Sequence, residues 1–288
     1  MMALPEPLPT TLPTTSAQAT APGAPGRATR HSAEQAGWRG RVARAFSRAA
    51  PEYAERASAQ RAMAATLLAR LPERAEAVLD LGCGPGETAA GLKERYGAAC
   101  RVIGLDLAPG MLDEARRTHG DPVRWLCGDA AALPLADASL DLVVSNLAIQ
   151  WCPELEAVLA EVRRVLRPGG RALINTLAPS TLAEVSHAWS HPERPAALLA
   201  FRNADEHRRV ARAAGFRRVD CLERAARFHY PDLAAVMASI KGVGAQVARP
   251  GARLTRADLA RAARRFEALR EPEGLPVTYR LLTLELST

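Results

Sequence analysis

The clearest chemical signal in the chain is the run Asp80-Leu81-Gly82-Cys83-Gly84-Pro85-Gly86. Its three alternating glycines follow an apolar stretch and open a segment, GETAAGLKERYG, that favours a helix. A turn of this kind lets the backbone approach a ligand closely, and the helix behind it offers unpaired N–H groups. A nicotinamide site would need G-x-G-x-x-G spacing. Here the spacing is G-x-G-x-G, and an acid precedes the first glycine. A second acid, Asp106, follows Gly86 by 20 residues (106 − 86) and ends the run RVIGLD. A carboxylate at that strand end suits hydrogen bonds from two ribose hydroxyls. A third acid, Asp129 in CGDA, is placed to accept from the exocyclic amino group of adenine.

Three acids at strand ends require strands to carry them. The segments AVLDL, RVIGLD, VRWLC, SLDLVVSN and RALINTLA read as five strands. Between them GETAAGLKERYG, MLDEARRTH and PELEAVLAEVRRVLRPGG read as helices, the last ending at Pro168-Gly169-Gly170. Strands alternating with helices predict a doubly wound, mostly parallel α/β sheet. The strands lack strict apolar–polar alternation, as expected when both faces are covered. Upstream, Val42, Ala45, Phe46 and Ala49 recur at helical spacing, so a helix from Glu34 is expected, interrupted at Pro51. A second helix should run from about Tyr53 to Leu71, ended by Pro72. Beyond Thr181, helices are expected over Ala183–Trp189, Ala204–Ala214 and Leu233–Ile240, with strands at Arg217–Leu222, AARFHYP and VTYRLLTLELS. Thr255 and Asp258 have capping-box spacing at the start of one more helix.

The composition, 48% hydrophobic and 24% charged over 288 residues, is that of a globular protein and excludes disorder throughout. Residues 1–30 are Pro, Thr and Ala with few large side chains, which predicts a disordered N-terminal extension. Residues 31–288 are expected to form a single domain, with a nucleotide-binding core at about 75–180 and cap elements at about 34–72 and 181–250. No apolar run approaches the roughly 20 residues of a membrane span. The five cysteines include no C-x-x-C pair, so neither a metal site nor a disulfide framework is expected, and a reducing, cytoplasmic compartment fits. Cys83 reads as a small buried residue. The net charge of +7 comes almost wholly from arginine, with only Lys93 and Lys241 as lysines. It allows an acidic partner.

In order along the chain, the acids at the glycine loop and at the second and third strand ends resemble the class I S-adenosylmethionine-dependent methyltransferases. The resemblance implies a Rossmann-like fold and S-adenosylmethionine as cofactor. It places Asp80, Gly82, Gly84 and Gly86 around the methionine moiety, and Asp106 with Leu107 at the ribose. It places Asp129 with Ala130 at the adenine, and Asn146 near the transferred methyl. The N/D-P-P-Y/F/W tetrad of nucleic-acid amino methyltransferases is absent after the fourth strand. Aromatic residues make up only 5% of the chain, too few for a base-stacking platform, so no nucleic-acid substrate is expected.

What stands after the fourth strand is Ser145-Asn146-Leu147-Ala148-Ile149-Gln150-Trp151-Cys152. This octet resembles the malonyl-acyl-carrier-protein O-methyltransferases of biotin synthesis. So do Arg44–Ala50 with Tyr53 and Gln60, the stretch Ser239–Ala245, and LTRADLARAARRFEA followed by LPVTYRLL. The likeness implies methyl transfer to the free carboxylate of a malonyl thioester on an acidic carrier protein, giving the methyl ester that primes pimeloyl synthesis. A carboxylate is already ionised near pH 7, so no acid or base catalyst is expected. Tyr53 and Gln150 are positioning candidates, Trp151 a wall of the acceptor site, and Arg202 or Lys241 the cation for the carboxylate. The segment Arg194–Arg202 departs from the family pattern R-P-H-x-N-R-F: Ala200 replaces the Arg before Phe, and Arg202 follows Phe201. Eight arginines against four acids in residues 202–230 offer one docking face for the carrier. The alternative reading is a class I methyltransferase acting on a small free acid or a quinone-type substrate.

Overall fold

The computed structural model describes residues 27–190, 198–242 and 255–288. Most of the expected disordered extension therefore lies outside the described residues. Five strands form the parallel part of one sheet: β1 (Ala77–Leu81), β2 (Arg101–Asp106), β3 (Arg124–Cys127), β4 (Leu140–Asn146) and β5 (Leu166–Leu177). Two longer strands, β6 (Arg218–Tyr230) and β7 (Leu275–Ser287), complete it in the order β3-β2-β1-β4-β5-β7-β6. β7 is antiparallel to both its neighbours, β5 and β6. The helices are α1 (Arg27–Arg56), α2 (Ser58–Leu68), α3 (Glu87–Tyr96), α4 (Pro109–His119) and α5 (Leu155–Val165). They continue with α6 (Ala183–Trp189), α7 (Ala204–Ala213), α8 (Leu233–Gly242) and α9 (Arg256–Glu267).

Alternate residues of the central strands feed two cores. Leu79, Leu81, Ile103, Leu105, Val143 and Ile174 pack with α5 and with Val210 of α7 on one face. Val78, Val102, Leu142, Val144 and Leu173 pack with Leu67, Leu92 and Leu112 of α2, α3 and α4 on the other. Every residue of β1 is buried, which is why its sequence shows no polar alternation. A third core joins Met63 of α2, α6, α9 and the buried side of β7, and forms a hood over the C-terminal ends of β4 and β5. The strand order reverses between β1 and β4. That is the switch point at which doubly wound sheets leave a crevice beyond their strand ends.

Three local expectations are corrected. Pro51 lies inside α1, and the break falls at Ala57. A mid-helix proline removes the bond to the carbonyl four residues back, here Ser47. Ser47 is held instead against α4: its hydroxyl accepts from the Gly110 N–H at 3.2 Å, and a Cβ on Gly110 would sit 2.8 Å from the Ser47 carbonyl oxygen. Second, α5 stops at Val165 and Arg167–Gly170 is a bulge within β5: Leu140 pairs with Leu166 and Leu142 with Arg171. Third, the segments expected as two strands, Arg217–Leu222 and AARFHYP, form one continuous β6. The capping box of Thr255 and Asp258 is present in full at the start of α9. No helix among the described residues is long and apolar enough to cross a membrane.

Candidate active site

The crevice at the switch point is a cleft of about 820 Å³. Gly82, Gly84, Asp106, Leu107, Asp129, Ala130 and Asn146 all line it, so seven of the nine cofactor residues expected from sequence converge there. The other two, Asp80 and Gly86, are not among its lining residues. The glycine turn is pinned to β2, because the N–H groups of Gly82 and Cys83 both donate to the Leu105 carbonyl, at 2.7 and 3.0 Å. Asp106 fixes the turn from the other side. It accepts from the Gly84 N–H at 2.9 Å and the Ala108 N–H at 2.8 Å. Burial pushes its carboxyl above the usual range, against the pull of the Ala108, Gly84 and Leu107 N–H groups.

The three glycines do different work. All have positive φ. A Cβ on Gly84 would meet nothing within 4 Å, so open space lies beside the backbone there. A Cβ on Gly82 would lie 2.2 Å from that of Ala148, and one on Gly86 would lie 2.5 Å from the Trp125 ring. Gly82 and Gly86 are thus required by packing, and Gly84 by approach from the cleft. Asp80 is 1% exposed. It accepts the Ala89 N–H in the first turn of α3, while its Oδ2 has no hydrogen-bond partner among the described residues. Burial, then the charge of Asp106, pushes its carboxyl up to about 7. Burial holds the Cys83 thiol well above its ordinary range, so it stays neutral.

Two residues missed in the sequence close the cleft from above. Arg39 of α1 reaches Asp129 at 3.0 Å and also Glu154. Trp38 donates its indole N–H to the Trp151 carbonyl at 2.9 Å. Asp129 thus spends one oxygen on the Ala131 N–H and shares the other with Arg39. The one sequence signal was the helical recurrence that includes Val42 and Phe46, with Tyr53 named separately as a positioning candidate. These line the cleft from α1, and Arg39 falls on the same face.

A second compartment, of about 780 Å³, adjoins the first. Phe46, Tyr53, Leu147 and Trp151 line both, so they form the partition between them. Leu147 holds φ +57°, an uncommon state for a residue other than glycine. Its N–H donates to the Asn175 carbonyl at 2.9 Å, and its own carbonyl accepts from Gln150 Nε2 at 2.6 Å. Asn146 is fixed underneath by a polar chain. Thr283 donates to Asn175 Oδ1 at 2.7 Å, Asn175 to Asn146 Oδ1 at 3.1 Å, and Asn146 to the Gln60 carbonyl at 3.1 Å. Burial, followed by the negative charges of Asp106 and Glu87, pushes the Tyr53 phenol far up, so it remains a hydrogen-bond donor. The second compartment is otherwise lined mainly by apolar side chains, with Gln60, Gln150 and Tyr279 as its further polar groups. Among the described residues none of its lining side chains is ionised.

Of the two expected substrate cations, Arg202 is not found there. Phe201 lines the compartment, but Arg202 turns away. Its guanidinium donates to the Cys152 and Pro153 carbonyls at 3.3 and 2.6 Å and pairs with Glu206 at 3.2 Å, so three acceptors already occupy it. The Lys241 side chain lies outside the described residues.

Comparison with known proteins agrees with this arrangement. Residues 79–174 match the family described as a methyltransferase domain. The YcgJ protein of Bacillus subtilis shares the fold, with TM-score 0.56 and 17% identity over 79% of this chain and 98% of that one. Phosphoethanolamine N-methyltransferase 2 of Haemonchus contortus, solved with S-adenosyl-L-methionine, has TM-score 0.50 and 17% identity over 78% of this chain and 51% of that one. In sequence the chain is 38% identical over 256 residues to the biotin biosynthesis bifunctional protein BioHC of Cellvibrio japonicus, covering 85% of this chain and 49% of that one. It is 39% identical over 248 residues to the malonyl-[acyl-carrier protein] O-methyltransferase of Dechloromonas aromatica, covering 85% of this chain and 92% of that protein. That of Hahella chejuensis is 36% identical over 245 residues, covering 83% and 87%. Likeness at this level runs past the nucleotide-binding core into the α1 and hood elements that build the second compartment, and the chain belongs to the malonyl-[acyl-carrier protein] O-methyltransferase family.

Proposed function

We propose that the first compartment holds S-adenosylmethionine and the second admits a malonyl thioester from a carrier protein, whose free carboxylate is methylated. The observation that carries this reading is the shared partition: a donor cleft with three acidic groups about it meets an apolar acceptor chamber across Tyr53 and Leu147. Three features support the fit to the cofactor. Space beside Gly84 is open, Asp80 has a buried oxygen without a partner, and Asp106 and Asp129 face one cleft. In this reading Asp106 and Leu107 hold the ribose, Asp129 and Ala130 the adenine, Gly82 and Gly84 the methionine moiety, and Asn146 flanks the reacting methyl.

When bound, S-adenosylmethionine supplies an electrophilic methyl group for in-line displacement. The residues of the chain position and exclude water. A malonyl carboxylate is ionised at neutral pH and needs no base. Tyr53, held protonated by burial, donates a hydrogen bond to it. Gln150 is oriented by Thr176 and by the Leu147 carbonyl, and its second amide N–H is available to an acceptor. Trp151, stacked edge-on against Phe46 at 5.4 Å, walls off solvent. The test is methyl transfer from S-adenosylmethionine to malonyl-carrier protein, acetyl-carrier protein, free malonate and a quinol. Only the malonyl thioester should react, and expression should restore growth without biotin to a strain lacking this activity. Faster turnover of free malonate or a quinol would overturn the thioester reading.

A further inference from the structure

The outward face of α1 carries a stripe of positive charge. Arg41, Arg44 and Arg48 are exposed and fall at i, i+3 and i+7, so they share one face over about 10 Å of helix. The opposite face of the same helix supplies Val42, Phe46 and Tyr53 to the two compartments. None of the three arginines forms an ion pair with an acidic side chain among the described residues. Elsewhere among the described residues paired and unpaired arginines occur in similar numbers, but the competing face is more paired than the α1 stripe. Within residues 202–230, Arg202, Arg208 and Arg209 pair with Glu206, Asp205 and Glu156. Arg218 and Arg227 pair with Asp220 and Glu271. Five of the eight arginines of that face are therefore paired, whereas Arg212, Arg217 and Arg224 form no ion pair among the described residues.

The α1 stripe is also tied to the site. The Arg41 guanidinium lies over the Trp38 ring, 5.6 Å from its centre. Trp38 in turn bonds the carbonyl of Trp151, a residue of the partition. On the same face Glu34 and Glu52 bound the stripe, and Glu52 is itself paired with Arg56. The positive patch is thus about two turns long, with negative ends.

On the basis of the function proposed above, we infer that Arg41, Arg44 and Arg48 form the docking face for the acidic carrier protein that delivers the malonyl thioester. The charge complementarity selects a partner helix rich in carboxylates, and the flanking glutamates set its register. The other face of the same helix supplies Phe46 and Tyr53 to the chamber that the thioester arm must enter. Such surface charges act on encounter and on salt dependence more than on the chemical step.

The test compares two substrates with the same reacting group: malonyl-carrier protein and malonyl-pantetheine. In Arg41→Glu/Arg44→Glu/Arg48→Glu, kcat/KM for malonyl-carrier protein should fall at least about tenfold, mainly through KM, and its decline with added salt should flatten. The rate on malonyl-pantetheine and the affinity for S-adenosylmethionine should stay within about twofold. The glutamine triple variant, which adds no negative charge to α1, should show the same split with a smaller loss. An unchanged rate on malonyl-carrier protein, or an equal loss on both substrates in the folded glutamine variant, overturns the assignment. A selective loss in Arg212→Glu/Arg217→Glu/Arg224→Glu instead overturns it in favour of the other face. Failure of the wild-type protein to methylate either thioester overturns the functional reading itself, which separates the two failures.

Discussion

Arg39 and Asp129 face each other across the cleft rim at 3.0 Å, and the same guanidinium reaches Glu154 on the far bank. One side chain from α1 therefore joins two acids at the end of the cleft assigned to adenine. Arg39→Met should leave the two carboxylates facing each other and loosen α1. Partly exposed pairs contribute little, so about 1 kcal/mol of stability should be lost, a drop of about 2–4 °C in Tm. Stopped-flow measurement should show faster dissociation of S-adenosylmethionine. An unchanged dissociation rate would mean that the Arg39 contacts do not restrain the ligand.

Gly84 and Gly86 make a paired test. Gly84→Ala puts a methyl group into open space at positive φ, at a backbone cost of about 1–2 kcal/mol. The protein should fold, yet bind S-adenosylmethionine at least about tenfold more weakly. Gly86→Ala drives a methyl group into the Trp125 ring and should cost about 2–5 kcal/mol of stability through strain and overpacking. Equilibrium unfolding alongside calorimetry separates the two, and identical behaviour would refute the division of labour.

In the proposed reading, Asp106→Ala removes a charged acceptor from two ribose hydroxyls. Hydrogen bonds to a charged group contribute about 1.5–3 kcal/mol each, so affinity for S-adenosylmethionine should fall at least tenfold. Unchanged binding by calorimetry in the folded variant would place the ribose elsewhere.

Asp80 makes the unliganded protein pH-sensitive. Its carboxyl is raised from 3.8 to about 7 on folding. Between these values the folded state binds the proton that the unfolded chain releases. This contribution is full below about pH 4 and lost as pH rises to about 7, on the order of 4 kcal/mol in all. Asp80→Asn should flatten the fall in stability across that window. Parallel denaturation curves at pH 5 and pH 8 for both proteins test the sign.

Arg202→Ala should cost about 1–2 kcal/mol, since it frees the Cys152 and Pro153 carbonyls and Glu206. KM for malonyl thioester should change less than about twofold, because the guanidinium does not line the acceptor chamber. A tenfold rise in KM with stability intact would restore Arg202 as the carboxylate ligand.

The sheet and the cleft acids were legible in the sequence because both follow local rules. An acid at the end of a buried strand, 20 residues after a glycine turn, can be read from spacing alone. The roles of single glycines were not legible. Gly84 and Gly86 sit in one motif, and only Trp125 and Ala115, which come later in the chain, reveal that Gly86 is a packing glycine. Arg39 and Trp38 were missed because their partners lie 115 and 113 residues away. Pro51 obeyed its local propensity less than the packing of α1 on α4, with Ser47 held at Gly110. Arg202 was the right residue type beside the right phenylalanine, but backbone carbonyls of the Ile149–Trp151 turn and its exit compete for it successfully.

Translation order gives the position of β7 a consequence. β7 is made after β6 but lies between β5 and β6, so on the ribosome β5 presents a bare edge and β6 has nothing to pair with. The residues of α8 and α9 emerge in the meantime. Thr283 of β7 also anchors Asn175, which holds Asn146 at the cleft. A nascent chain halted before residue 275 can therefore assemble β1–β5 and the glycine turn while Asn146 stays unbraced. During that interval the free edge of β5 and both edges of β6 are open to pairing with other chains.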